Sequence, residues 1–98
     1  MFKNLEELIT VIRQRKESSL EESYTKKLLK DKKLSIEKVK EEIVELIDSI
    51  EKNSNKIHEA ADVLYHLMVL LEANDIKIED VMNELKKRQK KQNDLRQK

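Results

Sequence analysis

The 98-residue chain contains no glycine, no proline, no cysteine and no tryptophan, and aromatic residues make up only 3% of it. Each absence removes a class of structure or chemistry. Tight hairpins and bulged strands rely on glycine at positive φ, so a sheet-rich fold is disfavoured. The glycine-containing phosphate loop, the dinucleotide fingerprint and the G-x-S-x-G nucleophile elbow cannot be written with these residues at all. Without cysteine the chain can hold no disulfide, no thiolate nucleophile, no thiolate-bound zinc and no iron–sulfur cluster. No apolar run reaches the ~20 residues of a membrane-spanning helix. The stretch Met1-Phe2-Lys3-Asn4-Leu5-Glu6-Glu7 carries acids where a signal peptide needs continuous apolar sequence. We therefore expect a soluble cytoplasmic protein with no membrane partner.

What the sequence does contain is charge. Charged residues make up 42%, but 21 basic and 20 acidic residues nearly cancel, so no overall field argues for nucleic acid. The core must come from Leu, Ile, Val and Ala on amphipathic elements, which favours an all-α fold. The length suits a single domain over residues 1–98, and a domain this small buries a limited fraction of its surface alone. We expect a small antiparallel bundle of four to five helices, completed by a homodimer or higher homo-oligomer.

Leu5, Leu8, Ile9 and Ile12 recur at helical spacing, and the polar stretch from Arg13 to Glu22 reads as a loop with a cap at Ser18 or Ser19. Tyr24, Leu28 and Leu29 predict a short helix ending near Asp31. From Ser35, a plausible N-cap, Ile36, Val39, Ile43, Leu46, Ile47 and Ile50 trace the clearest amphipathic stripe. Asn53-Ser54-Asn55 supplies turn chemistry without glycine, because asparagine tolerates the left-handed backbone region. The segment from Ile57 to Leu71 is apolar around nearly its whole circumference, which predicts a central helix buried on several sides. Ile78, Val81, Met82 and Leu85 predict a last helix, with residues 90–98 a frayed or disordered tail.

Chemistry concentrates in the acids. Glu41, Glu42 and Glu45 project from one side of their helix, and Glu59 and Asp62 are three apart on the next. A short turn makes these helices antiparallel neighbours, so the acids can converge across the interface. Asp62 lies among Ala61, Val63 and Leu64, where an unpaired carboxylate is costly. A hard divalent cation such as Mg²⁺ is the simplest compensating charge. The plainer alternative is a set of solvated glutamates, some of them paired with Lys38, Lys40 or Lys52.

At these residues the sequence resembles the phosphoribosyl-ATP pyrophosphatase branch of the all-α, MazG-like nucleoside triphosphate pyrophosphohydrolase superfamily. Glu42-x-x-Glu45, thirteen intervening residues and Glu59-x-x-Asp62 are similar to its E-x-x-E…E-x-x-D metal motif, with Glu41 extending it to E-E-x-x-E. Ser23-Tyr24-Thr25 followed by Leu28-Leu29, Lys38-Val39, and Glu59-Ala60-Ala61-Asp62-Val63-Leu64-Tyr65-His66-Leu67 are similar to that branch in order and spacing. The sequence departs from the pattern at Glu22 and Lys40, where glycine is usual, and in a slightly shortened loop between the acid pairs. Lys40 is expected to sit beside the acids.

The resemblance implies Mg²⁺-dependent hydrolysis of 1-(5-phosphoribosyl)-ATP to 1-(5-phosphoribosyl)-AMP and pyrophosphate, the second step of histidine biosynthesis. It implies Glu42, Glu45, Glu59 and Asp62 as metal ligands, with Glu41 and Glu45 as the catalytic carboxylates, Glu41 being a further ligand or the residue that handles the attacking water. Tyr24, Thr25 and Lys38 become candidate substrate contacts, each with a plain alternative as core aromatic, helix cap or solvated cation. Two other functions stay open: a pyrophosphatase for ordinary or non-canonical nucleoside triphosphates, and a non-enzymatic helical interaction module. His58-Glu59-x-x-Asp62 misses the zinc-protease motif for want of its second histidine. His66 is expected to be a packed or interface residue. The run from Lys86 to Lys91 has no interleaved aromatics and reads as a solvated helix end rather than a nucleic-acid surface.

Overall fold

The computed structural model describes residues 2–18 and 23–92, so Ser19, Glu22 and the tail beyond Gln92 lie outside the described residues. Five helices, and no strand among the described residues, follow in order: α1 (Lys3–Glu17), α2 (Tyr24–Lys30), α3 (Lys32–Lys52), α4 (Lys56–Ala73) and α5 (Ile78–Gln92). The all-α expectation holds. α4 is the hub, packing against α1, α2 and most extensively α3. Ile9 and Ile12 from α1, Leu28 and Leu29 from α2, and Met68, Val69 and Ala73 from α4 form one buried cluster. The i, i+3, i+4 spacing of these residues brings them to the facing stripes of their helices.

Helix boundaries differ from the sequence reading where side chains reach across the fold. α1 continues through the polar stretch to Glu17, and Ser18 ends that helix instead of starting the next. The added turn carries Arg13 and Lys16 to α4: the Lys16 ammonium donates to the Glu72 carbonyl at 2.6 Å and pairs with Asp75 at 2.7 Å. A cation there meets the negative end of the α4 dipole. The cap of α2 is Ser23, whose hydroxyl accepts from the Lys26 amide at 3.1 Å. Ser35 is not an N-cap. α3 starts one turn earlier on Asp31, whose carboxylate accepts from the Leu34 amide at 3.0 Å, and Ser35 is buried inside the helix.

The turn between α3 and α4 forms without glycine, as the sequence suggests. Asn53 and Asn55 take φ of 54° and 56°, and the Ser54 amide reaches back to the Ser49 carbonyl at 3.0 Å. That six-to-one bond is how a left-handed C-cap satisfies the carbonyls at the end of a helix. A third left-handed residue, Asp75 at φ 58°, turns the chain from α4 toward α5.

α4 is covered by α1, α2 and α3, the several-sided burial expected of it, while Ile57, 87% exposed, and Leu64 stay open, alongside Ile36, Ile43, Val44, Ile47 and Ile50 of α3. The helical stripe on α3 is therefore split: Val39 faces inward and the isoleucines form an uncovered face. α5 runs to Gln92, so residues 90–92 of the stretch expected to fray are helical.

α5 is anchored at its first turn. Ile78 packs against the core, and the Arg13 guanidinium grips both Glu79 oxygens, at 2.7 and 3.0 Å, and Glu72 at 2.8 Å. Arg13 holds the Glu79 carboxyl down at about 2, against an ordinary 4.5. A depressed carboxylate contributes stability above its unfolded value that is lost as pH falls through the folded one. Glu79→Gln should therefore flatten the loss of thermal stability between about pH 4.5 and 2. Arg13→Met should lower the melting temperature further than Glu79→Gln, because it also strands Glu72, whose side chain is only 12% exposed. Differential scanning calorimetry across that pH range checks both.

Candidate active site

The long contact between α3 and α4 positions the site. On α3, Glu41, Glu42 and Glu45 fall along one edge of the face turned to α4, and a ligand oxygen from each lies within 4.8 Å of the others. On α4, His58, Glu59 and Asp62 make a second group of the same tightness. Glu45 joins the two. Its carboxyl is raised above the ordinary value first by the charge of Glu42, then by loss of solvent, then by Glu59, Glu41 and Asp62. The five acids anticipated from the sequence are thus near enough to act on one another across the helix pair.

Burial falls on different residues from those expected. Asp62 is not stranded in apolar surroundings: its side chain is 39% exposed and lies 3.4 Å from His58 Nε2. The desolvated acids are Glu42, 8% exposed, and Glu59, whose Oε1 is buried with no hydrogen-bond partner. A buried carboxylate oxygen without a donor costs several kcal/mol by order of magnitude, ~2–7 for a polar group left unpaired. Crowded like charges, an orphaned buried oxygen and the carboxylate oxygens of five acids fit a hard divalent cation better than a soft one.

Next to the acids stands a group of rings. The Tyr24 hydroxyl lies 2.9 Å from His66 Nε2, and Thr25 shares a short hydrogen bond with the Tyr65 hydroxyl. Tyr24 and Tyr65 stack with centroids 6.3 Å apart, and the His66 ring meets both edge-on. Burial raises the Tyr24 phenol, Lys38 pulls it back down, and the charges of Tyr65, Glu42 and Glu41 push it up again, so the rings and acids share one electrostatic neighbourhood. Lys38 bonds Glu41 at 3.3 Å, and that partner, with Tyr24 and Glu42 behind it, raises the ammonium.

Tyr24 and Lys38 are therefore brought to the acid edge, and Thr25 to the Tyr65 hydroxyl in the ring group next to it. Lys40 is not. At about 100° per residue it lies roughly 140° around α3 from Glu45, among the exposed isoleucines. His66 is buried as expected, but its bond to Tyr24 was not foreseen, and neither was Tyr65. One signal was available: both tyrosines of the chain fall in this group, in a sequence with 3% aromatics.

Residues 5–89 match the profile of the phosphoribosyl-ATP pyrophosphohydrolase family. The chain belongs to that family. It is 47% identical to a phosphoribosyl-ATP pyrophosphatase of Clostridium novyi over 93 residues, covering 89% of this chain and 82% of the relative. To the phosphoribosyl-ATP pyrophosphatase of Methanococcoides burtonii it is 40% identical, over 86% of this chain and 90% of the relative. The histidine biosynthesis bifunctional protein HisIE of Pyrococcus furiosus is 48% identical over 88% of this chain, and the chain spans 41% of that relative's length. As a member of the phosphoribosyl-ATP pyrophosphohydrolase family, the chain has its acid pairs and the Ser-Tyr-Thr block inside the matched region.

The raised Glu45 carboxyl gives the site a measurable signature without any ligand. Glu45 keeps its proton to higher pH folded than unfolded, so its share of stability is present at low pH and is lost as pH rises through the folded value. Glu45→Gln should therefore raise the melting temperature in chelator at neutral pH and shrink that difference at acidic pH. A glutamate that merely sits on a solvated surface would change neither.

Proposed function

We propose that the chain hydrolyses 1-(5-phosphoribosyl)-ATP between the α and β phosphates, releasing 1-(5-phosphoribosyl)-AMP and pyrophosphate as a step of histidine biosynthesis. Family membership supports the substrate, and the facing acids of α3 and α4 support the chemistry. The single observation that carries the reading is the orphaned Glu59 oxygen within a cluster of mutually repelling carboxylates.

Glu42, Glu45, Glu59 and Asp62 would hold Mg²⁺, which when bound supplies positive charge against the triphosphate and the leaving pyrophosphate. The chain's own groups do the rest. Glu41 and Glu45, on the exposed edge of α3, are the carboxylates that face an incoming water, and Glu41 orients it and takes its proton. The water oxygen bonds to the α phosphorus while the bridging P–O bond to the β phosphate breaks, and pyrophosphate leaves with the electron pair. Lys38 exchanges its Glu41 contact for a phosphate oxygen. No covalent nucleophile is required.

Pyrophosphate release should be measured on phosphoribosyl-ATP, ATP, dCTP and dUTP. Turnover should be confined to the first and should disappear in chelator. Glu45→Gln and Asp62→Asn should each lower kcat/KM by about 100-fold or more, the range seen when a positioned charged group is removed from an active site. Turnover only on plain triphosphates would move the chain to the broader superfamily activity, and metal-independent turnover would sink the carboxylate assignment.

We further propose a homodimer through the isoleucine face of α3 and the first turns of α4. Ile43, Val44, Ile47, Ile50 and Ile57 are all more than 40% exposed in one chain, a contiguous apolar surface of the kind that marks an interface. Ile47→Glu should convert a dimer to a monomer in sedimentation velocity. A parent chain that sediments as a monomer at micromolar concentration would remove this proposal.

A further inference from the structure

His66 is buried, 7% exposed, and both of its ring nitrogens are engaged. Nδ1 lies 2.8 Å from the backbone carbonyl of Asp62, and a carbonyl can only accept, so Nδ1 carries the proton of that bond. In the neutral ring one nitrogen donates and the other accepts, which leaves Nε2 as a lone pair. With the ring neutral, the Tyr24 hydroxyl, 2.9 Å from Nε2, is the donor.

This fixes the polarity of the exposed side of Tyr24. Its only proton points inward to His66, so whatever approaches the phenol from solvent meets oxygen lone pairs. Lys38 is a cation within electrostatic reach of the phenol, and its charge favours an oxygen that offers lone pairs. Tyr24 itself is 47% exposed, so a ligand can reach it, whereas the buried His66 cannot touch one readily. The near-parallel Tyr65 ring and the edge-on contacts at 5.7 and 4.9 Å keep the imidazole from turning.

We infer that His66 is a positioning residue that presents Tyr24 to the nucleotide as a hydrogen-bond acceptor, so that Tyr24 reads an O–H or N–H group of the substrate and not a phosphate oxygen. The inference rests on the substrate reading proposed above, but its first link, the tautomer, does not. The donor recognised is either a ribose hydroxyl or the exocyclic N–H of the base. His66 acts through Tyr24, and phosphate recognition is left to Lys38 and the carboxylate-held cation.

Two measurements on the full chain test this. ¹⁵N-resolved NMR should find His66 protonated at Nδ1 and unprotonated at Nε2, with the Nε2 resonance displaced in Tyr24→Phe. A ring protonated at Nε2, or an Nε2 resonance indifferent to Tyr24→Phe, overturns the inference. In kinetics on phosphoribosyl-ATP, Tyr24→Phe and His66→Leu should each raise KM about fivefold, the scale of one neutral hydrogen bond. The double variant should be no worse than either single one. Multiplicative effects, or a loss expressed in kcat instead of KM, would show that His66 does not work through Tyr24. The Tyr24→Phe penalty should vanish on the analogue that lacks the recognised donor, either the ribose hydroxyls or the exocyclic N–H. A penalty unchanged on both analogues assigns Tyr24 to phosphate and overturns the inference. Should the parent chain show no turnover, the substrate reading fails separately, and the NMR result decides the tautomer alone.

Discussion

Packing α3 against α4 forces carboxylates from two helices to share one edge of the fold, and much of the molecule is arranged around that crowding. Like charges this close raise one another, which is why Glu45 sits above its ordinary range although it is exposed. Side-chain partners relieve the repulsion only at the edges of the cluster: Lys38 contacts Glu41 and His58 contacts Asp62, while Glu59 keeps an oxygen with no donor. A fold selected only for stability would replace Glu42 or Glu59 with an apolar residue of similar volume, since a buried charge is rarely the better choice. The folding energy therefore has to come from elsewhere, and it does: the seven-residue cluster of α1, α2 and α4 draws on Met68, Val69 and Ala73 in the later turns of α4, whereas Glu59 and Asp62 stand in its first two turns.

Much of this was legible in the sequence because helical periodicity is a local signal. The all-α class, the Asn53-Ser54-Asn55 reversal and the pairing of the two acid-bearing helices each follow from residues within a few turns of one another. What was not legible depended on contacts between distant residues. α1 outlasts its apolar stripe because Arg13 and Lys16 bond to α4, 59 and 56 residues away in sequence. The start of α3 on Asp31 rather than Ser35 was a choice between two good caps, decided by the burial of Ser35. Periodicity also placed Asp62 in apolar company without revealing which acids lose water, and those are Glu42 and Glu59.

Glycine would ordinarily occupy a left-handed turn, yet here every described positive-φ residue is Asn or Asp. Short polar side chains lower the steric cost of that region by bonding locally, and they also restrict the unfolded chain more than glycine does. The same logic bears on Lys40. In the middle of a 21-residue helix, a good helix former such as lysine is better than glycine by up to about 1 kcal/mol, so lysine there strengthens the element that carries three of the acids.

Helical geometry decides whether that lysine disturbs the chemistry. The acids and Lys40 lie on different sides of α3, with the buried stripe of Ser35, Val39 and Ser49 on one flank of the acids and the exposed isoleucines around the lysine. A charge on the isoleucine side sits in high-dielectric surroundings and is separated from Glu45 by the body of the helix, so its pull on the carboxylates is weak and screened by salt. Lys40 bears instead on the apolar face, where its four-carbon stem can lie along Ile36 and Ile43 while the ammonium stays in water. Lys40 is therefore a constraint on what covers that face, while the reaction edge is shaped by Lys38, the cation that does contact an acid.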